Sequence, residues 1–378
     1  MKKTITILSL AFTALVANAT VKTVSNNPNS PGQYTDLQVA ITAAANNDTL
    51  YVHGSPNTYG NVSITKPLTI IGAGALPNKD YYYSTILVGI TLSYNSLYTS
   101  SGSGSKIIGC SVSGIGLSAG DNTSAHPGIS NVTITRNKVG SISFNENANG
   151  GQSALAHNNI SIYNNVIGSL VGPGGGYYGS IKNSIIRNNL IYNCGNLGSI
   201  NIGTILIANN IFFGSISPVN ATISNNIFYT LGTSAFAGGS CSLSNNCFYS
   251  PTYTYVLSDI VGGSNNGNNN IMNQDPLFVY YDALAASVYD YTLSNPAAGP
   301  FANFNLLSGS PCLLTGSDGL NLGVYGGLSP FIEGYPADSR FRYFPMPAIP
   351  QMLQMNIQNA AILPSGTLNV NFKARKQN

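Results

Sequence analysis

The chain has 378 residues with 15 basic and 12 acidic side chains, a formal net charge of +3, and charged residues make up only 7% of it, where roughly 25% is usual. So even a balance, with its one basic cluster confined to the tail "NFKARKQN", argues against nucleic acid or an anionic membrane as the main partner. The 23 Tyr and 14 Phe exclude a disordered polar chain, so solubility must come from Asn, Ser, Thr and Gly.

The first 19 residues, "MKKTITILSLAFTALVANA", run from Lys2 and Lys3 through an apolar stretch to Ala17-Asn18-Ala19, the three parts of a secretory signal peptide. Cleavage is expected near Ala19, leaving Thr20 first and 13 basic residues against 12 acidic. No later stretch reaches ~18 uninterrupted apolar residues, and no cysteine follows the cleavage site to carry a lipid. The expectation is an exported protein, secreted or at the cell surface, with no transmembrane segment. Next, "TDLQVAITAAANN" (35–47) places Leu37, Ala40, Ile41 and Ala44 at helical spacing behind Thr35 as N-cap, which predicts a short amphipathic helix.

From residue 107 onward the chain repeats itself. An apolar residue, any residue, a polar residue, Asn, any residue and an apolar residue recur in "ITRNKV" (134–139), "IYNNVI" (162–167), "IRNNLI" (186–191), "IANNIF" (207–212), "ISNNIF" (223–228) and "LSNNCF" (243–248). A degenerate copy is "GNNNIM" (267–272), and "IIGCSV" (107–112) carries Cys110 in the asparagine slot. Steps of 28, 24, 21, 16, 20 and 24 residues separate Asn137, Asn165, Asn189, Asn210, Asn226, Asn246 and Asn270. Such steps suit one supersecondary unit per repeat, stacked on its neighbours, and the β-branched flanks make the unit one of short strands. Asparagine tolerates the left-handed backbone of a sharp bend. Equivalent amides stacked one strand spacing apart, roughly 4.8 Å, can also bond to one another as a ladder. On this reading the later asparagine is both turn residue and rung. Ile134, Ile162, Ile186, Ile207, Ile223 and Leu243 form one internal row, and Val139, Ile167, Ile191, Phe212, Phe228, Phe248 and Met272 another. The direction of Lys138, Val166 and Leu190 is left open by the period.

With these repeats, the entry-like segment "NNDTLYVHGSPNTYGNVSITKPLTIIGAG" (46–74) and the exit-like "NQDPLF" (273–278) and "LLSGSPCLLTGSDGLNLGVYGG" (306–327), the chain resembles secreted bacterial right-handed parallel β-helix proteins, the pectin-lyase-like superfold. The resemblance implies an all-β, right-handed parallel β-helix solenoid closed by the short N-terminal helix. It divides the chain into a signal peptide (1–19), the β-helix with its cap and exit segment (20–327), and a Pro-rich C-terminal segment (328–378) in which "TLNVNFKAR" could form a final strand. It does not choose an activity, because the superfold carries lyases, hydrolases, isomerases and adhesins alike.

Enzymes of that superfold use clustered carboxylates as Ca²⁺ ligands beside a basic residue, or as acid and base. Here the one candidate catalytic neighbourhood is Asp121 and Glu146, with His126 and His157, on the two longest inter-repeat steps, beside Arg136 and Lys138 and, two coils on, Arg187. The preferred reading of these groups is ordinary solvated charges, since a calcium-dependent lyase would want a tighter acidic cluster than one Asp and one Glu 25 residues apart. The five cysteines, Cys110, Cys194, Cys241, Cys247 and Cys312, fit no metal motif and read as buried thiols, with a Cys241–Cys247 bridge as the alternative. No cofactor is expected, and Ca²⁺ only under the lyase alternative. Three residues after successive ladder asparagines come Tyr192, Phe213, Tyr229 and Tyr249. If outward and open, they form a strip for stacking on sugar rings; if covered, a second small core. The preferred reading is a non-catalytic exported β-helix with a structural, adhesive or glycan-contacting role, its partner a polysaccharide or cell-surface glycan. The alternative is a polysaccharide lyase or glycoside hydrolase.

Overall fold

The computed structural model describes residues 19–74, 83–119, 128–145, 157–172, 181–197, 204–260, 264–281, 302–331, 351–357 and 370–375. Two parallel sheets of eleven strands each account for most of it. Sheet A runs from Val21–Val24 through such strands as Thr133–Thr135, Ser161–Tyr163 and Ala221–Ser224 to Asn266–Asn268. Sheet B runs from Tyr59–Ile64 through strands such as Val166–Val171 and Ile227–Tyr229 to Ile271–Met272. The chain alternates between the sheets and each strand pairs with its equivalents one coil away, which is a parallel β-helix.

Both predicted internal rows are present. Ile134, Ile162, Ile186, Ile207, Ile223 and Leu243 are register partners along sheet A, all buried. In sheet B, Val139, Ile167, Ile191, Phe212, Phe228, Phe248 and Met272 are likewise aligned. Within that row Phe212 stacks on Phe228 at 5.0 Å and Phe228 on Phe248 at 4.5 Å, with ring planes within 10°. An untwisted stack of identical residues permits this face-to-face offset packing, which adds about 0.5–1.5 kcal/mol per pair to the burial itself.

The two asparagines of each pair divide the labour that repeat spacing alone gives to one. The earlier residue takes the left-handed backbone: Asn164, Asn188, Asn209, Asn225, Asn245 and Asn269 all have φ between 50° and 60°, and Gly109 (69°) and Arg136 (59°) fill the same place in earlier coils. The later residue is the rung alone. Asn226 Oδ1 accepts from the Asn210 backbone N–H (2.8 Å) and Nδ2 (3.0 Å), while Asn226 Nδ2 donates to Ile207 O, Ser224 O and Asn246 Oδ1 at 2.9–3.0 Å. The pattern repeats from Asn137 to Asn270, and Cys110 joins through its backbone N–H to Asn137 Oδ1 at 2.9 Å. A side chain pointing into the core and bonded on every side cannot also be the residue that reverses the backbone; its neighbour does that.

A second column of bends lies five residues upstream, at Gly104, Asn131, Asn159, Asn183, Asn220 and Ser240. Each sheet A strand in these coils is thus bracketed by two left-handed residues, which keeps it to three or four residues.

The capping helix spans Leu37–Ala43 and buries Leu37, Ala40 and Ile41 against the first strands of both sheets, covering the open edge of the first coil. Its N-cap is Asp36, one residue later than the expected Thr35, because the Asp36 carboxylate accepts the Val39 N–H at 2.8 Å, at the start of the helix, where a cap acts. At the other end, the expected final strand is Val370–Arg375. Among the described residues it pairs antiparallel with Gln351–Ile357.

Candidate functional site

The outer face of sheet B receives the residues whose direction the period leaves open. Val166, Leu190, Ile211, Ile227 and Cys247 point outward and are covered by Phe278, Phe304, Cys312, Leu322, Val324 and Phe331, a second apolar core. The covering segment runs back along the stack, held by the outward amides of the bend column. Asn245 Nδ2 donates to Thr315 O (3.2 Å), Asn225 Oδ1 accepts Ser317 N–H (2.9 Å), Asn188 Nδ2 donates to Val324 O (3.0 Å) and Gly326 O (2.8 Å), and Asn164 Nδ2 donates to Ser329 O (2.8 Å). In four of the pairs, at Asn164, Asn188, Asn225 and Asn245, the first asparagine is therefore both a bend and a dock for the returning chain. Gly323, at φ 75°, lies so close to Ile227 and Ile211 that a Cβ would come within 3.0 and 3.1 Å of them, and glycine alone fits both constraints.

The predicted aromatic strip lies largely under this segment. Phe213 is 7% exposed and packs on Tyr281 (5.1 Å) and Phe304 (5.4 Å). Tyr229 is edge-on to Tyr281 at 5.1 Å and 5.8 Å from Phe278. Tyr249 is half-buried beside Tyr229, at 5.3 Å, and Tyr192, 39% exposed, stands at the rim. The geometry is that of a covered second core, and the four do not form an open platform. Period and spacing cannot reveal this, because the cover comes from a segment far along the chain.

Of the candidate catalytic residues, Asp121 and Glu146 lie outside the described residues, as does His126. Arg136 occupies a bend position with φ 59°, and Lys138 begins the sheet B strand Lys138–Asn145 two residues later. His157 is fully buried beside Phe144. Its Nδ1 accepts the Ile129 N–H at 2.9 Å, and burial drives its pKa down to about 4. It is a neutral core histidine.

The described carboxylates are each engaged with backbone N–H groups: Asp36 with Val39, Asp48 with Thr20 and Ala45, Asp259 with Val256, Asp275 with Leu277 and Asp318 with Leu320. No group of three or more His, Cys, Asp or Glu able to hold a metal occurs among the described residues. All five cysteines are free and buried, so Cys241 and Cys247 are not bridged. Contact with the Cys312 thiol and burial both push the Cys247 thiol up, which keeps it protonated and unreactive.

The outward side of sheet A carries two register rows that are partly open to solvent, with Thr135 and Ala208 buried among the described residues. One register row is Thr69, Lys106, Thr133, Ser161, Ile185, Leu206, Thr222 and Ser242. The next contains Thr135, Tyr163, Arg187, Ala208, Ser224 and Ser244. Arg187 places its guanidinium over the Tyr163 ring at 5.5 Å, a cation–π pair across adjacent coils, and its Nε has no hydrogen-bond partner among the described residues. Sequence spacing marks Arg187 only as a neighbour of the acidic candidates; its pairing with Tyr163 follows from their equal offset from the ladder asparagine, two residues before Asn165 and Asn189. No protein-family model matches this sequence, and no curated protein matches it either.

Proposed function

We propose that this is an exported, non-catalytic β-helix of the pectin-lyase-like kind, located outside the cell or on its surface, that adheres to an extended polysaccharide through the outward face of sheet A. The observation that carries this reading is the pair of register rows on that face. Strands one spacing apart, roughly 4.8 Å, offer hydroxyls of Thr133, Ser161, Thr222 and Ser242 in one line and the Tyr163–Arg187 pair in the other. A linear glycan laid along the stack meets two pairs of hydroxyls separated by Ile185 and Leu206 and one aromatic-cationic patch. Nearly neutral polymers suit a nearly neutral protein.

The test is co-sedimentation with a panel of insoluble polysaccharides, comparing the wild type with Tyr163→Ala and Arg187→Ala. Retention that falls at least several-fold in both variants, with melting unchanged, supports the assignment. Equal retention of wild type and variants places the contact elsewhere, and release of unsaturated or reducing ends from any substrate refutes the non-catalytic reading.

A further inference from the structure

Asp48 is the most deeply buried described carboxylate, 1% exposed. Its Oδ1 accepts the Thr20 N–H at 2.7 Å and its Oδ2 the Ala45 N–H at 2.9 Å, with Lys22 Nζ 3.6 Å from Oδ2. The Thr20 hydroxyl bonds to it as well. Burial pushes the carboxyl up, but the bonds from Thr20 and Ala45 and the Lys22 charge outweigh this and hold it below the usual carboxylate value.

The surroundings are fixed by neighbouring coils. Thr20 O accepts the Thr49 N–H at 2.9 Å where sheet A begins, and Asp48 O accepts the Thr69 N–H at 3.0 Å from the next coil. The other cation nearby, Lys66, is engaged by Thr42 O and Ala44 O at 3.1 and 2.8 Å. A nearly dry carboxylate thus faces two backbone nitrogens, those of Thr20 and Ala45, and only that of Thr20 would become an α-amine on cleavage ahead of it. That residue directly follows Ala17-Asn18-Ala19, the small-x-small pattern at which signal sequences are cut.

We propose that the Ala19–Thr20 bond is a processing site and that Asp48 is the receptor for the new N-terminus. Hydrolysis by an export endopeptidase consumes one water. Its oxygen joins the Ala19 carbonyl carbon, the C–N bond breaks, and the Thr20 nitrogen leaves as an amine that is protonated below about pH 8. Before cleavage Asp48 receives one neutral amide N–H from Thr20; afterwards it faces an α-ammonium with three donors and a full charge. Cleavage thereby converts a hydrogen bond into an ion pair that locks the first strand, Val21–Val24, onto the stack. Lys22 satisfies Asp48 in the uncleaved chain, so folding does not wait for the cut. The inference rests on the export reading above.

The test uses the chain from Thr20 to Asn378 in two forms, one with a free α-amine and one keeping Gly-Ser ahead of Thr20. Both forms are labelled with ¹⁵N- and ¹³C-threonine, and the unmodified α-amine of Thr20 is titrated through its own ¹⁵N and ¹³Cα shifts by NMR. A pKa raised by about one unit or more over the ordinary ~7.7, a tenfold preference for the charged form, is expected, and Asp48→Asn should return it to that value. The raised pKa also has a signature in stability: the free-amine form should melt above the Gly-Ser form below pH ~7.7 and lose that margin as pH rises through the folded-state value. An α-amine titrating normally, or equal melting of the two forms at pH 7, overturns the docking. If Asp48→Asn does not fold, the comparison of the two wild-type forms still decides. Amino-terminal sequencing of protein collected outside the cell should begin at Thr20. Another starting residue overturns the processing site, whereas protein retained uncleaved in the cytoplasm overturns the export reading. The titration tests the Asp48 receptor independently of both.

Discussion

Replacing Asn226 by Leu removes one rung of the ladder while keeping side-chain volume close. Asn226 is fully buried, and three consequences can be traced atom by atom. The backbone N–H of Asn210 loses its acceptor, Asn226 Oδ1 at 2.8 Å, in a site closed to solvent. The Asn210 amide keeps Ile186 O and Ala208 O at 2.9 and 3.0 Å, so it is weakened but not orphaned. Asn246 Oδ1 keeps the Asn226 backbone N–H at 3.0 Å. The cost is thus one unsatisfied buried donor, about 1–3 kcal/mol, plus the net value of the lost amide bonds at about 0.5–1.5 kcal/mol each. Four such bonds go, from Asn210 Nδ2 to Asn226 Oδ1 and from Asn226 Nδ2 to Ile207 O, Ser224 O and Asn246 Oδ1, so together these come to about 3–9 kcal/mol. No bend is lost, since the positive φ belongs to Asn225. Ser224→Ala, on the outward side of the same coil, should stay within about 0.5 kcal/mol. Urea denaturation followed by tyrosine fluorescence and circular dichroism gives the comparison. Equal midpoints for Asn226→Leu and Ser224→Ala would refute the ladder as a stabilising device.

Acid should weaken the fold through His157, whose folded-state pKa of about 4 lies below its ordinary 6.5. The unfolded chain binds the extra proton, so the contribution is complete above pH 6.5 and is lost as pH falls toward 4, in total about 3 kcal/mol at 1.36 kcal/mol per unit. Urea midpoints at pH 7.5, 5.5 and 4.0 should fall accordingly, and less steeply in His157→Gln; parallel curves would show that the histidine is not the sensor. Gly323→Ala places a methyl against Ile211 and Ile227 in a left-handed backbone and should loosen the exit segment, read as faster limited proteolysis within 314–331 at unchanged overall circular dichroism. Phe213→Ala empties a site walled by Tyr281 and Phe304 and should cost about 3 kcal/mol, whereas a change below about 0.5 kcal/mol would mean that the aromatic cover is not packed in solution.

The ladder, the two internal rows and the coil spacing were legible in the sequence because a solenoid repeats its physics locally. Each coil must place an apolar side chain, a bend and a bonded amide at the same offsets, so the pattern survives even where the steps vary from 16 to 28 residues. The second bend column is present five residues before the first, as four asparagines with Gly104 and Ser240, and is hidden by that mixture and by how common asparagine is in this chain. Which asparagine of a pair turns and which one faces inward depends on the direction of the Cα–Cβ bond in the bend, so composition alone gives both roles to one residue. What only the tertiary structure decided lies at long range. Asn164 meets Ser329 and Asn225 meets Ser317 across 165 and 92 residues, and this returning segment turns the outward aromatic row of sheet B into a second core. A strand pattern states which side chains leave the coil, but whether they meet water or another stretch of chain depends on where that distant stretch comes to rest.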